Sequence, residues 1–292
     1  MQAQNQRTAP DVFVDVIVVG GGAAGLTAAL VLARARRRVL VVDDLTHRNA
    51  TVDEFHGFPT RDTTSPANFR SEARRELHSY GVTFSSSTVT GGCRTDDEVA
   101  IAFADGAVAR ARVVVIATGV RDELPPIDGL AARWGKSVFN CPFCDGWEHR
   151  DQAVAVIDAA PGADHLATMV RAWTSHVTVL SAGNVARLVG SGSTLERIEL
   201  HDGSSLCVAA AFLRAPVHPR SELARQLGCA TDDAGYIRTD ESGKTSQPNV
   251  WAAGDIRRPP PQPHQVILAA ADGSTAAIAI HKHLVETSSE RC

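Results

Sequence analysis

Two short, uninterrupted apolar runs stand near the start of the chain, on either side of a longer mixed segment. Residues 15–19 read Asp-Val-Ile-Val-Val and residues 39–42 read Val-Leu-Val-Val. Runs this short and apolar are typical of strands that are buried on both faces of a sheet. Residues 23–37 between them predict a helix, so the chain is expected to begin with a β-α-β unit.

The same pattern returns past the middle of the chain. Residues 153–157 and 177–180 are again short apolar runs, and residues 163–173 between them predict a helix. Two β-α-β units in one chain predict an α/β protein with two similar halves.

Shorter strands and a long helix complete the pattern. Asp105-Gly106 stands between the segments 99–103 and 108–112, which is a good signal for a hairpin. Residues 265–284 are Ala-rich and predict a long final helix.

Composition narrows the class of protein. The chain has 292 residues, which suggests two domains, and its 44% hydrophobic and 21% charged content is that of a soluble globular protein. A net charge of −4 offers no electrostatic attraction for nucleic acid or an anionic membrane. Six cysteines and a polar segment at residues 1–10 point to a reducing compartment, and we expect the protein to be cytoplasmic.

A glycine-rich turn follows the first predicted strand. Residues 20–25 fit G-x-G-x-x-G through Gly20, Gly22 and Gly25, and Asp43 ends the next strand. In this context the glycines let the backbone approach a pyrophosphate, the helix N-terminus favours the anion, and the acid takes a ribose hydroxyl. The sequence therefore predicts a dinucleotide site here.

The strongest chemical signal is Cys141-Pro142-Phe143-Cys144-Asp145. Two cysteines at this spacing serve redox enzymes, zinc sites or haem attachment. The other cysteines stand singly, so a second zinc ligand pair is missing, and Asp145 occupies the place where c-type haem needs a histidine. The motif favours redox chemistry and no metal, with an accidental spacing as the remaining alternative.

Taken together, these motifs resemble the low-molecular-weight thioredoxin reductases along nearly the whole chain. The motifs that carry the resemblance are Gly20–Gly25 with Asp43, Arg48-Asn49, Ala117-Thr118-Gly119, the Cys-x-x-Cys-Asp-Gly motif, Thr245-Ser246 and Ala253-Gly254-Asp255. The resemblance implies two Rossmann-like three-layer domains, the second inserted into the first. Residues 1–122 and 247–292 would form an FAD domain, and residues 123–246 a pyridine-nucleotide-type domain that carries the cysteines.

The resemblance also assigns residues to roles. Cys144 would exchange electrons with the flavin, Cys141 would meet substrate, Asp145 would be the acid/base, and His149 and His264 are lesser candidates for the base. His56 is a weaker candidate still, since His-Gly-Phe-Pro is interpreted mainly as shaping a turn. Trp147 is expected to fill core, with packing over the active site as the alternative. The implied FAD contacts are Gly20, Gly22, Ala24, Gly25, Asp43, Asp44, Arg48, Asn49, Ala117, Thr118, Gly119, Gly254, Asp255, Gln265 and Val266.

The second β-α-β unit departs from the family pattern. Where the reductases carry a second glycine fingerprint for NADPH, this chain has Asp158 at the first glycine position and Ala160 at the second. Residues 181–183 after the next strand read Ser-Ala-Gly and supply no arginine for a 2′-phosphate. An acid and a methyl group at the turn would oppose a pyrophosphate, so we expect NADPH not to bind.

Within the family, two segments are similar to the dithiol oxidases of gliotoxin- and holomycin-type antibiotic biosynthesis. They are the segment from Arg48-Asn49 through His56-Gly57-Phe58 to Arg61-Asp62, and the Cys-Pro-Phe-Cys … Gly-Trp-Glu run at residues 141–148. That resemblance implies an FAD-dependent homodimer that forms a disulfide in a small-molecule dithiol and reduces O2 to H2O2. The alternatives are a thioredoxin reductase fed by a non-nicotinamide donor such as ferredoxin, an NAD(P)H-dependent reductase with an unorthodox site, and a non-catalytic flavin-binding protein.

Overall fold

The computed structural model of the protein describes residues 12–159 and 163–289. Some of the sequence predictions concern residues outside these ranges, namely residues 1–10, Ala160 and Cys292. The strands are β1 (Val12–Val19), β2 (Val39–Val42), β3 (Thr83–Ser85), β4 (Val89–Arg94), β5 (Val99–Phe103), β6 (Val108–Ile116), β7 (Val120–Asp122), β8 (Val138–Phe139), β9 (Val154–Asp158), β10 (Val177–Ser181), β11 (Val185–Val189), β12 (Arg197–Leu200), β13 (Ser205–Cys207), β14 (Ala210–Leu213), β15 (Val217–Pro219) and β16 (Val250–Ala252).

The helices are α1 (Ala23–Arg34), α2 (Pro66–Ser79), α3 (Pro142–Asp145), α4 (Ala163–Val170), α5 (Glu222–Gln226) and α6 (Val266–Ser289). Two 3₁₀ turns accompany them, at Ala182–Asn184 and Asp255–Arg257. Within the described ranges, no helix combines the length and the apolar character needed to cross a bilayer.

The described chain divides into two compact units, whose limits differ from the predicted domains at residues 121–122 and in two longer segments. The first unit comprises residues 12–47, 68–120 and 219–289, and the second comprises 48–67 and 121–218. Residues 48–67, predicted for the first domain, lie in the second unit, where Arg48 pairs with Asp122. Residues 219–246, predicted for the second domain, lie in the first unit because Leu223 and Leu227 pack into its core. The predicted domain boundaries and the roles of the domains remain predictions.

The first unit is built on a seven-stranded sheet in the order β3-β2-β1-β6-β5-β4, with β16 also paired to β6. Strands β1, β2, β3, β6 and β16 are parallel, and β5 is antiparallel to β4 and β6. The predicted hairpin at Asp105-Gly106 is confirmed, with Gly106 at φ +84° in the turn.

Both faces of this sheet are buried, as the apolar runs indicated. Val16 and Val18 point into a core shared with α1 and α6, while Ile17 and Val19 point into a second core with α5. Alternate side chains of one strand thus fill two separate cores. The result is the three-layer α/β arrangement that the sequence predicts.

Helix α1 is shorter than predicted and packs tightly on α6. It ends at Arg34 rather than at residue 37, since Arg36 adopts a φ of +61° that a helix cannot continue. A Cβ atom placed on Gly273 of α6 would lie 2.1 Å from the Ala24 carbonyl oxygen of α1. The close approach of the two helices therefore requires glycine at this position.

The second unit repeats the layered plan on a smaller scale. Its parallel sheet has the order β10-β9-β14-β8, and a separate antiparallel sheet has the order β11-β12-β13. Val154 and Val156 of β9 face one core, and Ala155 and Ile157 face the other. The predicted β-α-β unit is confirmed as β9, α4 and β10, although part of the turn between β9 and α4 lies outside the described residues.

Candidate active site

Cys141 and Cys144 form a disulfide on the short helix α3. Their Cα atoms are 5.3 Å apart, and both side chains are half-buried. Pro142 at the first helical position fixes φ for the turn, and the Cys144 and Asp145 amides donate to the Cys141 carbonyl at 3.1 and 3.2 Å. One helical turn therefore brings the two sulfur atoms together.

Two large aromatic side chains stand in solvent beside the disulfide. Phe143 and Trp147 are each 64% exposed, so the prediction that Trp147 fills core is wrong. The inward position is taken by Gly146 instead, where a Cβ would lie 2.9 Å from the Trp173 ring. Phe143 meets the edge of Trp173 at a centroid distance of 5.5 Å. The disulfide turn thus presents an apolar, accessible surface.

Asp145 has an environment suited to proton transfer. Burial raises the pKa of its carboxyl to about 7, the nearby Glu148 carboxylate acts in the same direction, and the His56 imidazole opposes them. An acid with a pKa near neutrality can both accept and release a proton at working pH. Asp145 is therefore equipped to exchange protons with the neighbouring cysteines.

His56 lies between two carboxylates. Its Nδ1 is 3.5 Å from Asp62 Oδ2 and its Nε2 is 3.8 Å from Glu148 Oε1. We call Asp62, His56 and Glu148 the acid–imidazole cluster. The sequence interpretation took His56 for a turn residue, and the only available signal was the His-Gly-Phe segment itself.

The two histidines proposed as lesser bases have other contacts. His149 approaches the Gln152 side chain at 3.2 Å and lies 5.2 Å from the Phe139 ring. His264 belongs to the first unit, and its Nε2 donates to the Arg258 carbonyl oxygen at 2.7 Å. The catalytic roles of both histidines remain predictions.

The glycine turn after β1 has the shape that a dinucleotide requires. Gly20 has a φ of +111°, and a Cβ there would lie 2.3 Å from the Ala117 carbonyl oxygen. At Gly22, which caps α1, a Cβ would meet no atom within 4 Å, so the approach to the helix N-terminus is open. The first turn of α1 contains no acidic residue and no side-chain cap. These features fit a pyrophosphate at the helix N-terminus.

Asp43 ends β2 beside this turn and is buried. Its Oδ2 accepts from Arg74 at 2.5 Å and lies 3.5 Å from His47 Nε2. The neighbouring Asp44 is exposed and accepts from the Thr46 amide and hydroxyl at 2.9 and 2.6 Å. The acid of the fingerprint is thus held in place chiefly by the Arg74 guanidinium, and its contact with a ribose remains a prediction.

The remaining predicted cofactor residues gather mainly in the first unit, at strand and helix ends. Ala117, Thr118 and Gly119 follow β6, Gly254 and Asp255 follow β16, and Gln265 and Val266 stand at the start of α6. By contrast, Arg48 and Asn49 belong to the second unit, and Arg48 donates to both Asp122 oxygens at 2.8 and 2.6 Å.

A buried acid on α6 supports the Gly254 turn. Asp272 accepts from Arg258 at 2.9 and 2.7 Å, pairs with Arg257 at 3.2 Å, and accepts from the Gly254 amide at 3.3 Å. Sequence reasoning missed this residue because an acid within an Ala-rich helix carries no motif.

Comparisons with known proteins agree with this geometry. The family model for pyridine nucleotide-disulphide oxidoreductases matches residues 14–185 and 176–273. Thioredoxin reductase tcpT of Claviceps purpurea is 29% identical over 283 residues, covering 83% of this chain and 86% of its own. The crystal structure of HlmI superposes with a TM-score of 0.90 and 36% identity over 98% of both chains. An oxidoreductase from Agrobacterium tumefaciens superposes with a TM-score of 0.86 and 31% identity, covering 94% of this chain and 99% of its own.

Family members are FAD-binding flavoproteins, and the open turn at Gly22 suits that cofactor. With its Rossmann-like sheets and its Cys141–Cys144 disulfide, the chain belongs to the pyridine nucleotide-disulphide oxidoreductase family and is a thioredoxin-reductase-like redox enzyme that uses FAD.

Proposed function

We propose that the protein is a dithiol oxidase, which closes an intramolecular disulfide in a small natural-product dithiol and transfers the electrons to oxygen as hydrogen peroxide. The observation that carries the proposal is the setting of the Cys141–Cys144 disulfide. It lies on a turn whose Phe143 and Trp147 side chains are largely exposed, which gives a small organic dithiol an apolar surface beside the reactive sulfur atoms.

The exchange chemistry proceeds in two displacements. One substrate thiolate attacks Cys141, a mixed disulfide forms, and Cys144 leaves as a thiolate. The second substrate thiolate attacks the substrate sulfur of the mixed disulfide, and Cys141 leaves in turn. The substrate has then lost two electrons and two protons, and the cysteine pair has gained the electrons.

Asp145 would manage the protons of these steps. Only thiolates attack disulfides, so each substrate thiol must lose its proton first. With its pKa raised to about 7 by burial, Asp145 is a stronger base than an ordinary carboxylate and still releases its proton near neutrality. It can therefore accept the proton of an attacking thiol and return it to a leaving cysteine.

Bound FAD would supply the two-electron redox chemistry that links reduced cysteines to oxygen. This chain's contribution is to hold the cofactor. The turn at Gly20, Gly22 and Gly25 would receive the pyrophosphate, and Gln265 and Val266 would present the start of α6, where the helix dipole favours negative charge.

Electrons are proposed to enter through the dithiol rather than through NADPH. Asp158 is exposed at the end of β9 and Asp164 lies in the first turn of α4, so an acid flanks the nucleotide turn on each side. Both carboxylates would face a pyrophosphate with like charge. The second β-α-β unit thus keeps its fold while its residues oppose the nicotinamide cofactor.

The alternative function is reduction of a protein disulfide with a donor such as ferredoxin. It is favoured by the fact that relatives such as the Claviceps purpurea protein are named thioredoxin reductases. The two functions run the cysteine pair in opposite directions and are separated by their electron donors and acceptors.

The test measures oxygen uptake and peroxide with dithiothreitol as the dithiol. We expect one peroxide per dithiol oxidised, rapid anaerobic bleaching of the flavin by dithiothreitol, and slow bleaching by NADPH or NADH. Cys141→Ser and Cys144→Ser should abolish turnover, while Cys93→Ser, which changes an exposed free cysteine of the first unit, should not. Fast flavin reduction by NADPH within the turnover time would contradict the proposal, and thioredoxin reduction with a ferredoxin donor would favour the alternative.

A further inference from the structure

The loop that carries His56 is closed upon itself. The Phe55 amide donates to the Thr64 carbonyl at 3.0 Å, and the Thr63 amide donates to the Phe55 carbonyl at 3.2 Å. Inside this closure the Gly57 amide donates to Asp62 Oδ1 at 2.9 Å. One oxygen of Asp62 is therefore fixed by backbone, which leaves the other directed at the His56 ring.

The imidazole of His56 is held on both sides. Asp62 Oδ2 faces its Nδ1 at 3.5 Å, and Glu148 Oε1 faces its Nε2 at 3.8 Å. The side chain is only 17% exposed, although both carboxylates reach solvent. A residue needed only for the turn would use its backbone, whereas here both ring nitrogens of His56 are directed at acids.

Glu148 connects this loop to the redox turn. It follows Asp145 by three positions, directly after α3, and Asp145 follows Cys144. The charged groups that face His56 are Asp62 from its own loop and Glu148 from the turn after α3. His56 and Glu148 both act on the Asp145 carboxyl: His56 lowers its pKa and Glu148 raises it.

We propose that His56 is a positioning residue of the redox site, whose imidazole, anchored by Asp62, balances the charge of Glu148 around the Asp145 acid during thiol–disulfide exchange. The inference rests on the proposed function only in assigning the thiol proton to Asp145. It gives His56 and Asp62, which the sequence comparison only places in a segment similar to the dithiol oxidases, a specific role beside Asp145.

The proposed role predicts changes in the pH dependence of exchange that a purely structural role of His56 would not produce. His56→Gln removes the imidazole that lowers the Asp145 pKa, and Glu148→Gln removes a carboxylate that raises it. His56→Gln should therefore move the pH midpoint of exchange upward, and Glu148→Gln should move it downward, each by roughly one unit. Asp62→Asn should shift the midpoint in the same direction as His56→Gln, and less.

The experiment follows reduction of the Cys141–Cys144 disulfide by dithiothreitol without oxygen, across the neutral pH range. Samples are quenched with iodoacetamide, and alkylated cysteines are counted by mass spectrometry. His56→Lys restores a positive charge without the imidazole and should return the midpoint towards wild type. His165→Gln, which removes an exposed histidine of α4, is the matched control and should leave it unchanged.

Equal midpoints in His56→Gln and wild type, or shifts of the same sign in His56→Gln and Glu148→Gln, would overturn the inference. This measurement needs no oxygen and no turnover. A wild-type protein that is reduced by dithiothreitol but consumes no oxygen would refute the oxidase, while opposite shifts in the two variants would still support the role of His56.

Discussion

At the scale of residues, the site depends on Asp145, whose carboxyl is largely buried although its charged form prefers water. Desolvation disfavours the charged form of a carboxyl, and the Asp145 pKa of about 7 records that cost. The acid lies next to Cys144 in the chain, where a proton acceptor of moderate strength is useful. The proposed acid/base role of Asp145 therefore comes at some expense of stability.

Asp145→Asn should make the oxidised protein more stable at alkaline pH and less active. The folded-state pKa of about 7 lies above the ordinary 3.8, so between these values the folded protein holds a proton that the unfolded chain has lost. The free energy of unfolding therefore falls as pH rises through this window. Asparagine does not titrate, so the variant avoids this fall in the free energy of unfolding. The difference should be roughly 1–2 kcal/mol, which is less than the full pKa shift implies because solvent still reaches the side chain.

The measurement compares thermal midpoints of variant and wild type in acid and in mildly alkaline buffer. The stabilisation should be absent below the ordinary carboxyl pKa and complete above neutrality, while dithiol turnover falls by at least about tenfold. Asp233→Asn, which changes an exposed acid, is the control. A stability difference that is independent of pH would contradict the assignment.

At the scale of elements, the pair α1 and α6 organises the first unit. Gly273 lets α6 approach the Ala24 backbone, and the next-door Asp272 holds Arg257, Arg258 and the Gly254 amide. One stretch of α6 thus fixes both the start of α1 and the turn after β16, and these are the two places where the cofactor is expected to bind.

Asp272→Asn should weaken flavin retention and lower stability. A neutral amide leaves Arg257 and Arg258 without their buried acid, and removing one partner of a buried ion pair costs roughly 3–5 kcal/mol. The readouts are bound flavin per chain after gel filtration and the thermal midpoint of the protein.

The matched control for this change is Glu222→Gln, which breaks the exposed pair of Glu222 with Arg225. Exposed pairs contribute about 0–1 kcal/mol, so flavin content and midpoint should stay near wild type. An Asp272→Asn protein with full flavin content and an unchanged midpoint would show that the Gly254 turn needs no support from α6.

At the scale of the whole molecule, the redox disulfide and the dinucleotide turn reside in different units of the chain. The family resemblance implies a homodimer, and α6 offers a face for it. Ile278 and Val285 are about half exposed and stand seven positions apart, which places them on one side of the helix.

We therefore expect a native mass of twice the 31.0 kDa chain, measured by light scattering at micromolar concentration. Ile278→Glu should shift the mass towards that of one chain, since it places a charge on the apolar face of α6. A wild-type mass of one chain would contradict the predicted dimer.

The sequence by itself determined the features that local chemistry dictates. Short apolar runs between turn and helix signals favour strands, glycines at Gly20 and Gly22 leave room for a backbone–phosphate approach, and Cys141 and Cys144 lie within one turn of each other. Each of these depends on residues close together in the chain, so spacing was enough to predict the α/β fold, the redox pair and the cofactor turn.

Only the tertiary structure decided what distant segments do to one another. His56 meets Glu148 because the loop of residues 48–67 packs with the second unit, and no periodicity reports that choice. Trp147 is exposed because Gly146 takes the inward position against Trp173, although an indole by itself favours burial. Contacts of this kind depend on how elements that are distant in the sequence pack against one another. The pattern of apolar and polar residues along the chain does not show which side chain fills a given space in the core.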